Sequence, residues 1–137
     1  MIRGSGTLSL AVILAAVIAS AESGAPPLPI PAAPDVAYIA LTRGTSETVI
    51  RNPKIIAQFV AFLSARNTDW RKPWDTFPTP EWTIRLVGRR DDHLVLWLGP
   101  NWLGGREGQA AAKDNRLRSL SPNEHDEALK MLGAARP

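Results

Sequence analysis

Apolar residues along this chain fall into distinct rhythms, and each rhythm predicts a different element. The first is an almost unbroken apolar run, Leu8 to Ile18. It lacks the polar face that a helix on the surface of a folded domain carries. A short polar stretch with Arg3 precedes it, and Ala19-Ser20-Ala21 follows with small residues where a signal peptidase reads them. That order predicts a secretory signal over residues 1–21, cleaved after Ala21. The run is shorter than the roughly 20 residues that span a bilayer as a helix. The product is therefore expected in the periplasm or outside the cell, with no stable membrane span after cleavage.

From Glu22 to Pro34 the rhythm disappears, and five of 13 residues are proline. Proline fixes φ and removes a backbone donor, so the stretch favours extended conformations. Residues 22–34 read as a semi-rigid linker, and residues 35–137 as a single domain.

Within that domain, Val36–Thr42 and Glu47–Arg51 are strand-like and flank the turn Arg43-Gly44-Thr45-Ser46, which makes a hairpin. Asn52-Pro53 opens a helix by capping and by preset φ. Ile55, Ile56, Phe59, Phe62 and Leu63 then place one apolar stripe on that helix. It is expected to end near Arg66-Asn67, since Asn tolerates a left-handed cap. Thr68 to Pro80 has no period and reads as a long loop. Trp82–Val87 alternates, with Trp82, Ile84 and Leu86 inward. His93–Leu98 is apolar on both faces, as expected of a central strand. Gly99 to Gly105 reads as a turn leading into a polar loop, and Arg116–Leu120 as a short last strand. Ser121-Pro122-Asn123-Glu124 is a capping box that starts a second helix, which Gly133 stops. The order β-β-α-β-β-β-α predicts an α+β fold: a single antiparallel sheet of about five strands with two helices on one face.

Composition narrows the function classes. The chain has no cysteine, which excludes disulfides, thiolate chemistry and acylation at cysteine. Removing the signal leaves 15 basic against 13 acidic groups, too even a balance to point to nucleic acid. Asp91-Asp92-His93 is a candidate for acid–base work, yet it lies at a hairpin turn, where adjacent residues diverge. Glu124-His125-Asp126-Glu127 suits the start of a capped helix, where acidic groups complement the dipole. The glycine-rich Gly99–Gly108 stretch fits neither nucleotide fingerprint. No catalytic, metal or cofactor site is therefore expected.

Two candidate binding surfaces remain. One is aromatic, formed by Trp70, Trp74 and Phe77 in the long loop, with Trp102 nearby. The other is cationic, with Arg85, Arg116 and Arg118 sharing the open face of the sheet. Exposed Trp favours recognition of protein or sugar, and Arg suits carboxylates and phosphates. The reading is an exported non-enzymatic binding module that recognises a protein or envelope component. Its rivals are a small hydrolase or transferase using His93 with Asp91 or Asp92, and a polyanion or membrane-surface binder using the Arg patch.

Overall fold

The computed structural model describes residues 24–72, 78–108 and 114–134. The expected α+β architecture is present, with one strand more than expected. Six antiparallel strands form one sheet: β1 (Tyr38–Arg43), β2 (Ser46–Ile50), β3 (Trp82–Val87), β4 (Asp92–Leu98), β5 (Trp102–Glu107) and β6 (Arg116–Ser119). Their spatial order is β2-β1-β3-β4-β5-β6. The strand that is apolar on both faces, β4, lies inside the sheet, as its sequence requires. Two helices complete the fold, α1 (Pro53–Ala65) and α2 (Pro122–Leu132).

Local chemistry sets the helix ends. The Asn52 side chain accepts from the Lys54 backbone N–H at the start of α1. Ser121 and Glu124 form the reciprocal capping box of α2, and Gly133 closes that helix in the left-handed region at φ 67°. α1 ends near Arg66-Asn67 as expected, but without a left-handed Asn cap. Arg66, not Asn67, is its cap, at φ −117°, and the Asn67 side chain turns elsewhere.

One face of the sheet makes the core. Ile39, Leu41, Ile84, Leu86, Leu94, Leu96, Leu98 and Leu103 meet Ile56, Phe59 and Leu63 of α1 and Leu129 and Leu132 of α2. All these strand residues share one side of the pleat, so both helices cover the same face. Arg66 ties the helices together, with Nε 2.6 Å from Glu124 Oε2.

The proline-rich stretch is not a free spacer over its described part. Leu28 is only 2% exposed and belongs to the core. Its backbone N–H donates to Asn67 Oδ1 at 2.8 Å, and its carbonyl accepts from Asn67 Nδ2 at 2.7 Å. The primary amide thus mimics a strand partner. Trp70 Nε1 donates to the same Oδ1 at 2.8 Å, and Trp70 O accepts from Ala25 N at 2.8 Å. Proline-rich sequence favours an extended backbone but does not prevent docking, and a single Leu in it supplies the anchor.

The glycine-rich segment expected to be a turn and loop is β5. Leu96 pairs with Gly105 and Trp97 with Gly104. Glycine disfavours strands by its entropy, but here its missing side chain is used. A β-carbon on Gly105 would lie 2.8 Å from Leu28 Cδ1 and 2.9 Å from Leu96 Cδ2. The docked Leu28 occupies the space that a side chain at position 105 would need.

Candidate functional site

The strand registers decide which sequence candidates meet. On the core side, Leu103 pairs with Arg118 and Gly105 with Arg116. Arg116 and Arg118 therefore point toward the helices, whereas Arg85 alternates with Ile84 and Leu86 and points away from them. The expected cationic patch of Arg85, Arg116 and Arg118 does not assemble. The register of β6 on β5, which nothing in the sequence of β6 itself reveals, turns both arginines to the core side. Arg118 instead caps α1: its Nη1 donates to the Arg66 carbonyl and, at 3.1 Å, to the Thr68 carbonyl. A guanidinium on the last carbonyls complements the negative end of the helix dipole. Arg116 is half-buried, and its Nη1 has no hydrogen-bond partner among the described residues.

The aromatic candidates divide as well. Trp70 is 2% exposed and bonded to Asn67, so it is a core residue rather than a contact surface. Trp74 and Phe77 lie outside the described residues. Trp102 lies on the open face but is only 9% exposed. Its ring folds over the turn at Gly99, where any β-carbon would collide with the indole.

What the open face does present is a different set of aromatic and cationic residues. Arg85 pairs with Val95 on β4, and Val95 with Arg106 on β5. The two arginines thus flank one valine, roughly 10 Å apart across two strand spacings. Two residues along β4 lies Trp97, half-buried, with the Arg106 guanidinium 5.6 Å from its ring centroid. Such cation–π stacking orients a guanidinium without neutralising it. Arg106 Nε has no hydrogen-bond partner among the described residues. Arg85 reaches both carboxylate oxygens of Asp92 at 3.3 Å, a half-buried pair still open enough to solvent that its contribution to stability is small. At the far side of the same face, Arg51 stacks on Tyr38 at 4.8 Å.

Sequence reasoning missed Trp97 and Arg106. Trp97 is out of phase with Leu94, Leu96 and Leu98, which marks it as facing away from them. Arg106 was hidden because its strand begins Trp-Leu-Gly-Gly.

His93 lines an open cleft of about 860 Å³ together with Asp35, Arg89, Arg90, Asp91 and Glu107. Its Nε2 bonds the Asp35 backbone carbonyl at 3.0 Å, and its ring packs on Gly88. Asp92, the carboxylate beside it in sequence, pairs with Arg85 instead. Among the described residues, no carboxylate or hydroxyl hydrogen-bonds His93. The imidazole is thus held as a bracket between the hairpin turn and the N-terminal segment. His125 is more enclosed than a solvated helix start implies. Its Nε2 is 3.1 Å from Glu81 Oε1, and its Nδ1 is 3.4 Å from Asp126 Oδ1. That contact joins α2 to the start of β3. No group of three or more potential metal ligands occurs among the described residues, and no described helix is long and apolar enough to cross a membrane.

No family model matches this chain, and neither a curated protein nor a solved structure matches it.

Proposed function

We propose that this protein is an exported, non-enzymatic binding module that recognises a protein or envelope component with the open face of its sheet. Residues 1–21 serve as the address that delivers it to the periplasm or the extracellular space. The observation that carries the reading is the Trp97–Arg106 pair, an aromatic surface with a stacked guanidinium on the face opposite both helices. Binding surfaces draw much of their affinity from Trp, Tyr and Arg on a rigid support. A six-stranded sheet braced by two helices is such a support. The ring offers apolar area, and the guanidinium offers donors to a carboxylate or carbonyl on the partner.

The test is capture from envelope extract by the exported protein. Trp97→Ala and Arg106→Ala each abolish capture while leaving the melting temperature within about 3 °C of the parent, as surface changes do. A large loss of stability with capture intact assigns the pair to structure and refutes the reading. Salt separates the polyanion alternative. Capture that falls steeply as salt rises favours a polyanionic partner, through Arg85 and Arg106 rather than the arginines of β6.

A further inference from the structure

The two edges of the sheet are treated differently. Outside β6, Arg71 pairs with Leu117, with both backbone hydrogen bonds at 2.8 Å. The N-terminal segment then adds the Ala25 to Trp70 bond beyond it. The chain thus covers that edge with its own backbone. The opposite edge, β2, pairs only with β1 among the described residues. Ser46 to Val49 are all exposed there, and Val49, at 42%, is the one exposed large hydrophobic residue among those described.

The register of the first hairpin says which groups that edge offers. Arg43 pairs with Ser46 across a two-residue loop, and the closing pair of such a loop is hydrogen-bonded. Ser46, Thr48 and Ile50 therefore bond to β1. The backbone N–H and C=O groups of Glu47, Val49 and Arg51 point outward. These residues also share the open face, since Val49 pairs with Ala40 and Glu47 with Thr42. Arg51 is already held by stacking on Tyr38.

We propose that β2 is a self-association edge, whose occupant is β2 of a second copy of this chain. Antiparallel pairing about a two-fold axis at Val49 places Val49 against Val49. It also places Glu47 of each copy opposite Arg51 of the other. All three outward-pointing residues then exchange backbone hydrogen bonds, the exposed valine is covered, and both charges are matched. Shifting the axis to Glu47 sets like charges face to face, and shifting it to Thr48 leaves Glu47 opposite Val49. Only the Val49 register satisfies charge and apolar area together. The product is one sheet continuous through two copies, with both open faces on the same side.

Sedimentation of the native protein over a concentration series tests this. A reversible dimer is expected, and Val49→Lys, which sets two ammonium groups across the axis, abolishes it while circular dichroism stays native. Glu47→Arg and Arg51→Glu each weaken the dimer by about tenfold or more. An equimolar mixture of those two variants restores association as a heterodimer, because the altered charges are complementary across the axis. A protein that stays monomeric throughout overturns the proposal. So does a dimer that ignores Val49→Lys, or a mixture that associates no better than its components.

Discussion

Replacing Asn67 by alanine removes three hydrogen bonds at once. The amide accepts from Leu28 N and Trp70 Nε1, both at 2.8 Å, and donates to Leu28 O at 2.7 Å. Leu28 and Trp70 are each 2% exposed, so the groups left behind have restricted access to water. A net hydrogen bond contributes about 1 kcal/mol, and a stranded buried group costs about 1–3 kcal/mol. The three lost contacts together put the expected loss for Asn67→Ala at about 3 kcal/mol. Against a total stability of about 5–15 kcal/mol that is a large fraction, and it lowers the melting temperature by about 15 °C. Amide exchange should show Leu28 N–H protected in the parent and released in the variant. Asn67→Asp sharpens the test. It keeps both acceptor contacts but replaces the donor to the Leu28 carbonyl with an acceptor oxygen, so its deficit reports the loss of that one hydrogen bond and the oxygen–oxygen repulsion that replaces it. A drop of under about 3 °C for Asn67→Ala, with Leu28 exchange unchanged, would refute the clasp.

Two further expectations follow from contacts described above. Gly105→Ala places a β-carbon within 3 Å of Leu28 and Leu96 and costs about 1–3 kcal/mol by overpacking; in denaturant unfolding the double variant with Leu28→Ala loses less than the sum of the two, and strict additivity would sink the packing argument. Glu124 has its pKa lowered, chiefly by the Ser121 backbone hydrogen bond and further by Arg66, with burial opposing. Its folded value lies below its unfolded one, so its stabilisation is complete above the usual glutamate pKa and is lost as pH falls through the lowered value. Glu124→Gln should therefore differ from the parent by about 1 kcal/mol at neutral pH and converge with it in acid, and a gap that persists unchanged in acid refutes the assignment.

Most of the fold was legible because local and global signals agree. The Asn52-Pro53 start, the Ser121–Glu124 box and the Gly133 stop each act within one turn of chain, so sequence alone reveals them. β3 and β4 declare themselves by alternation and by apolarity on both faces. β5 stayed hidden because Gly105 answers to a partner far away in sequence, the docked Leu28. The same distance effect concealed the fate of residues 24–34, since nothing local tells a proline-rich spacer from a proline-rich strap. The site was less legible still. With β5 overlooked, the register that turns Arg116 and Arg118 to the core side could not be read, and Arg106 was left out of consideration. Trp70 looked like a contact residue because its anchor, Asn67, reads in sequence as a helix stop.

The Asn67 clasp bridges 39 residues in a chain with no cysteine. In the folded state it joins distant segments as a cross-link would, yet no oxidant is needed to form it and no reductant can undo it, and the unfolded chain is left unconstrained. It also imposes an order of events. Whether the chain emerges from a ribosome or through a translocation pore, Leu28 arrives well before its amide partner. The leading segment must stay an open ribbon until α1 and the turn after it have followed, so nothing knots the front of the molecule while it is still threading.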